Sequence, residues 1–225
     1  MKFKLFGEIM EVGITALALF WIFLLLEPAV SLGAQDTFTI SQTVSKEIAF
    51  LTPATDVVLV PSLGGLTGGT SNGGTQVVVT TNSSLGYMMT INASSSVGMI
   101  GNSSSTNSIP VYVSATPGVP DYSFTVPANK AYFGYTIEAS TTADLATSFK
   151  DTASACNSSG GGDTVAQCWI AATSTNYTVV NRSLQTPASG STTTLKFRVT
   201  INANPSPTIP DDTYVATTTL TATAN

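Results

Sequence analysis

The stretch "TLKFRVTIN", residues 194–202, decides the fold class. Leu195, Phe197, Val199 and Ile201 alternate with Lys196, Arg198 and Thr200, so an apolar row and a polar row run side by side along the chain. Successive side chains of a β-strand point to opposite faces, and this alternation therefore predicts a strand with one buried face and one wet face. The same grammar closes the chain. In "DDTYVATTTLTATAN", residues 211–225, one side carries Tyr214, Ala216, Thr218, Leu220, Ala222 and Ala224. The other carries Val215 followed by Thr217, Thr219, Thr221 and Thr223.

Working outward, short strand signals separated by turn-formers fill the rest of the chain from residue 35 onward. "TFTISQTV" (37–44) places Phe38, Ile40 and Val44 on one face, and "EIAFL" (47–51) and "DVVLV" (56–60) are short apolar runs, the second stopped by Pro61. "SLGGLTGGTSNGG" (62–74) reads as a glycine-rich connection too flexible to pack. "TQVVVTTNSSLGYMMTINA" (75–93) reads as two strands around a turn at 82–86, with Tyr87, Met89 and Ile91 on one face. "SIPVYVSA" and "DYSFTVP" are proline-interrupted and read as edge strands. "AYFGYTIEA" aligns Phe133, Tyr135 and Ile137, and "YTVVNRSL" precedes the opening stretch. Only "TADLATSFKD" (142–151) looks helical, with Leu145 and Phe149 four apart. Nine or ten strands and one short helix predict an all-β protein, an antiparallel β-sandwich of immunoglobulin-like or jelly-roll type. Residues 35–225 are expected to form a single such domain. The span 93–129 is poor in periodicity and reads as a long irregular insertion, or as a boundary between two smaller sandwiches.

Composition narrows the compartment and the chemistry. Charged residues make up 9% of the 225 and hydrophobic ones 43%, a chain able to bury a core while keeping its surface polar with Ser, Thr, Asn and Gly. A net charge of −5 offers no basic patch for nucleic acid. The N-terminus carries Lys2 and Lys4, then an uncharged apolar run over 12–26, then small residues in "AVSLGA". This is the layout of a signal peptide over residues 1–34, cleaved after Ser31, Gly33 or Ala34, with an uncleaved signal anchor as the alternative. The chain is thus expected to be secreted, extracellular and cell-surface associated, touching the membrane only through the leader. Cys156 and Cys168 flank "NSSGGGDTVAQ" and are expected to form a disulfide in oxidising surroundings, stabilising the fold by about 3 kcal/mol.

The chain contains no histidine, which excludes Ser-His-Asp and Cys-His nucleophilic sites and His-based metal centres. Acid–base chemistry would need paired carboxylates among Asp36, Glu47, Asp56, Asp121, Glu138, Asp144, Asp151, Asp163, Asp211 and Asp212, most of which fall in turns that favour Asp for capping. Asp211 with Asp212 and Asp151 with Asp163 are the best calcium candidates, and neither has EF-hand spacing. The glycines at 64–74 lack the lysine and helix of a phosphate-binding loop. No catalytic residue, metal site or cofactor is expected. Asn-x-Ser/Thr sequons at Asn82, Asn92, Asn102, Asn157, Asn176 and Asn181 follow from the Asn, Ser and Thr content; they would be glycosylated in a eukaryote and bare in a bacterium. Tyr132 and Trp169 are the aromatics that would build a sugar-stacking patch.

"VVVTTNSSLGYMMTINA", the lone mature tryptophan and "DDTYVATTTLTATAN" resemble secreted β-sandwich proteins of bacterial cell surfaces, namely WxL-like surface domains and, more distantly, fimbrial or spore-coat-U-like subunits. Trp169 sits in "CWIAA" rather than in a W-x-L motif, and Asp211-Asp212 replaces the glycine turn before the last strand. The resemblance implies a non-catalytic structural or adhesive surface protein that meets cell-wall polysaccharide or other surface proteins. The alternatives are a carbohydrate-binding module and a pilus or fibre subunit assembling by strand addition. The closing strand is expected beside "TLKFRVTIN", with Tyr214 and Leu220 buried and the threonines in solvent. "TFTISQTV" is expected in its own sheet, or else on a neighbour's edge.

Overall fold

The computed structural model describes residues 33–159, 162 and 166–225. The leader expected over residues 1–34 falls almost wholly on residues outside that set, as does Asp163. The chain divides into two compact units, Met1–Thr43 and Val44–Asn225. In the first unit, the described residues 33–43 form no strand, and Phe38 and Ile40 are 81% and 84% exposed. The strand expected at 37–44 is therefore absent: period-two alternation makes a strand only where a partner edge takes up its backbone groups.

The second unit is the all-β sandwich that the alternation predicts. Its largest sheet runs β1 (Ile48–Thr52), β2 (Gly69–Thr81), β8 (Ser191–Ile201) and β6 (Ala131–Ala139), antiparallel throughout. A second sheet runs β10 (Thr218–Ala224), β3 (Tyr87–Ala93) and β7 (Tyr177–Arg182). A small third sheet runs β5 (Ser108–Pro110), β4 (Gly98–Gly101) and β9 (Tyr214–Val215), so the span 93–129 contributes two of its strands. Inward residues of all three sheets meet in one core, including Val77, Val79, Leu195 and Tyr135 from the first, Tyr87, Met89 and Val180 from the second and Ile109 from the third. Each large apolar side chain buried there contributes about 1.5–3 kcal/mol of transfer free energy. β8 is central and shows the expected alternation, with Leu195, Phe197, Val199 and Ile201 buried and Lys196, Arg198 and Thr200 half-exposed.

Several expectations are corrected. Residues 69–74 are not a loose connection but the first half of β2. Glycine is used there for close approach: a Cβ on Gly73 would lie 2.6 Å from Val57 Cγ1, and one on Gly74 would lie 2.8 Å from the Leu195 carbonyl. The two strands expected around the turn at 82–86 are present as β2 and β3, but they do not pair with each other and belong to different sheets. Gly86, at φ +75°, turns the chain between layers where any side chain would strike the Arg182 carbonyl. The helix expected at 142–151 is two 3-10 turns, Thr142–Asp144 and Thr147–Phe149, since Leu145 and Phe149 are each drawn into the core from a separate turn. Of "DVVLV", only Val60 bridges to β2, at Asn72.

The closing strand departs most from its expected place. It breaks into β9 and β10, which pair with β4 and β3 rather than with β8. Tyr214 and Leu220 are half-buried, whereas Thr217, Thr219, Thr221 and Thr223 are exposed as expected. Sequence adjacency favours a hairpin, but the proline-rich connection over 203–210 carries the chain from the large sheet to the opposite layer.

Candidate functional site

Because β10 joins the opposite layer, two strand edges come to face each other across an opening. β1 ends the large sheet and β10 ends the second, and among the described residues neither has a strand on its outer side. Between them lies a groove of about 1560 Å³. Its floor is the inner face of β8, with Leu195, Phe197, Val199 and Ile201, joined by Phe133 of β6. One wall is the irregular strip after β1, where Val57, Leu59 and Leu63 are half-buried. The other wall is the chain from Thr208 through β9 to Leu220.

The strip after β1 is positioned by polar contacts with β2. Thr55 N–H donates to Thr75 Oγ1 at 2.9 Å, and Val60 and Asn72 exchange backbone hydrogen bonds of 3.0 and 2.9 Å. Pro53 removes one donor from the strip, and the ladder that begins as β1 lapses after Thr52. On the β10 side the inward residues are small or short: Ala216, Thr218, Ala222 and Ala224 flank a single Leu220, and all five are half-buried. Such residues fill little of the space above β8, so a groove remains there even though the β8 side chains beneath it are buried. This was the signal in the sequence that an intact closing strand would not seal the sandwich.

The rim beside β9 is acidic. Asp212 accepts the Ser103 N–H at 3.0 Å, the Thr213 N–H at 2.8 Å and Asn107 Nδ2 at 3.3 Å, tying the turn after β4 to the start of β9. These bonds, the one from Ser103 foremost, hold its carboxyl below the usual range. Tyr214, whose hydroxyl donates to the Pro210 carbonyl at 2.9 Å, is shifted upward, first by burial and then by Asp212 and Asp211.

Four more of the carboxylates singled out in the sequence, Asp121, Glu138, Asp144 and Asp151, hold structure. Asp144 accepts Arg182 Nη1 at 2.5 Å and Ser191 Oγ at 2.9 Å. Asp121 accepts the Tyr112 hydroxyl at 2.8 Å, and that hydroxyl is pushed up to about 12 by burial, helped by the same bond. Glu138 pairs with Lys196 across the outer face of the large sheet at 2.5 Å. Asp151 Oδ1 accepts the Ala153 N–H at 3.0 Å. No cluster of three metal-ligating side chains occurs among the described residues.

Of the two aromatics considered for sugar stacking, Tyr132 belongs to β6 itself, and Trp169 comes from the segment that bridges to β6 at Tyr135 and sets its ring against Arg198 of β8. Trp169 is 1% exposed, with Arg198 4.3 Å over its ring, Phe124 edge-on at 5.2 Å and Nε1 donating to the Ala166 carbonyl. Tyr132 is half-buried and stands edge-on to Tyr112. Cys156 and Cys168 are bonded, with their Cα atoms 5.6 Å apart. This closes the loop that delivers Trp169 and Ile170 to the sheet. No helix among the described residues is long and apolar enough to cross a membrane. Compared with known proteins, the chain matches no family model and no curated protein.

Proposed function

We propose that the protein is an exported, non-catalytic structural component of a cell surface, and that it is built into an assembly by accepting an added β-strand in the groove between β1 and β10. The groove carries this reading. It combines an apolar floor with an edge of β10 that has no strand beside it among the described residues, and a β-strand is the ligand that uses both, packing alternate side chains over the floor and meeting the edge with main-chain hydrogen bonds. A lipid-like molecule would use only the floor and leave the edge groups to water. The leader-like N-terminus and the Cys156–Cys168 disulfide support export. The threonine face of β10 supports an exposed life, since it keeps the sheet polar without charge. A carbohydrate-stacking reading draws no support from Trp169, whose ring is already covered by Arg198 and Phe124.

The test is to express the full chain with its own leader and follow both export and size. Exported protein should begin between residues 32 and 35 by intact mass and should form multimers as concentration rises. Ala216→Trp, which fills the groove from its β10 wall, should abolish them. Retention of residues 1–26 in exported protein, or equal assembly with and without the substitution, would overturn the reading.

A further inference from the structure

We infer that the protein carries a second binding site, a pocket on the outer face of the large sheet that takes a small sugar acid by its carboxylate. This pocket is separate from the groove between β1 and β10. Its volume of about 480 Å³ is that of a small-molecule site. Gly74 stands between Asn72 and Gln76 on the outer row of β2, and its missing side chain leaves the space. Across from it, in register, lies Lys196 of β8, flanked on the same outer row by Thr194 and Arg198. The segment that delivers Trp169 bounds the pocket on its remaining side.

Arg198 is the cation there without a counter-charge. Its guanidinium carbon stands 4.3 Å over the Trp169 ring, and Nε donates to Asn72 Oδ1 at 2.7 Å, so the group is held in place. Among the described residues its two terminal nitrogens donate to no oxygen, and no carboxylate pairs with it. Desolvation lowers its pKa, as it must for a cation that loses water without gaining an anion. Lys196 is already matched by Glu138. The pocket therefore carries one unbalanced positive charge, which a monoanionic carboxylate neutralises and a phosphate dianion would exceed. A guanidinium fork fixed in this way can meet both oxygens of a carboxylate with parallel hydrogen bonds.

The groups around the fork select the rest of the ligand. Gln76 Nε2 donates to Thr194 Oγ1 at 3.2 Å, which leaves the Gln76 carbonyl to accept and the Thr194 hydroxyl to donate. Asn72 uses its carbonyl on Arg198 and keeps its amide nitrogen as a donor. Asn72 and Gln76 are exposed and Thr194 is half-exposed, so a ligand can reach all three. Donors and acceptors set side by side suit the hydroxyls of a sugar ring, each of which does both. A plain aliphatic acid would satisfy Arg198 and leave these groups to water. Trp169 takes no part as a stacking surface, because its buried ring serves as the backing for Arg198.

The experiment titrates sodium glucuronate into the full exported chain at low salt and follows backbone amide shifts by NMR. Glucuronate should bind saturably with a Kd of about 1 mM, shifting the amides of Gly74, Lys196 and Arg198. Arg198→Lys keeps the charge but loses the fork, and should weaken binding about tenfold. Should that variant fail to fold by circular dichroism, Gln76→Ala, at an exposed position, should weaken binding about threefold. Glucose, which has the ring without the carboxylate, should not bind. Absence of saturable shifts, equal binding of glucose, or unchanged affinity in the folded variants would overturn the site. Tighter binding of N-acetylglutamate than of glucuronate would overturn the sugar acid in favour of an acidic peptide. Binding at this pocket in a chain that stays monomeric supports the site while overturning strand acceptance in the groove.

Discussion

At the β6 end of the large sheet, Tyr135 exchanges backbone hydrogen bonds of 2.9 Å with Ile170, and Tyr112 N–H bonds the Phe133 carbonyl. Over them lie Phe124, Trp169 and Arg198, with the disulfide anchoring the segment that brings the tryptophan. At the other end, β1 lapses after Thr52 and β10 presents small residues, leaving a groove above the buried inner face of β8. A bare strand edge invites pairing with another chain, so natural sheets cover, charge or interrupt their edges. Here one edge is covered by the chain's own aromatic layer, and the other has no strand beside it among the described residues. The difference predicts that substitutions at the closed edge lower the stability of the isolated chain, whereas substitutions at the open edge act mainly on assembly.

The largest effect should come from Trp169→Ala, which removes a fully buried indole and uncovers Arg198. Urea unfolding should show a loss of about 3–5 kcal/mol. A loss below about 1 kcal/mol would mean that the aromatic layer does not close this edge. Replacing Cys156 and Cys168 together with serine should cost about 3 kcal/mol, because the unfolded chain regains the entropy of an unclosed loop. A thermal melt unchanged by both substitutions would remove the disulfide from the closure. Leu220→Ala at the open edge should lower monomer stability by only about 1 kcal/mol, since the side chain is half-buried before anything enters the groove. A loss as large as that of Trp169→Ala would erase the contrast between the edges.

The smallest effect concerns acid. Because the folded pKa of Asp212 is depressed, its stabilisation is fully present above the ordinary carboxylate value of about 4 and is lost as pH falls through the lowered folded value. The native protein should therefore show a small loss of stability below about pH 4 that is missing in Asp212→Asn. Identical acid limbs in the two proteins would show that this exposed carboxylate adds nothing to the hold on the turn after β4.

Much of the fold was legible because strand alternation is local. The inward row of β8, the faces of β3 and β6 and the outward threonines of β10 all follow from residue order and the two-residue repeat of a strand. The bonded cysteines were likewise legible from their spacing and the expected compartment. The residues that build the groove were not. Val57, Leu59 and Leu63 lie in stretches read as a short run and a loose loop, and glycines 73 and 74 gain their meaning only from the neighbours they admit.

What the sequence by itself determined was therefore the class of the protein, all-β with alternating faces and a stapled loop, because those properties depend on neighbours along the chain. Only the tertiary structure decided which edges stay open. Pairing partners are chosen among strands far apart in sequence, and the long proline-rich connection removes the local preference that would have placed β10 beside β8. The same physical reason separates β10 from residues 37–44. Both carry the alternation, but β10 has β3 to take up its backbone groups and is a strand, while 37–44, without such a partner among the described residues, is not.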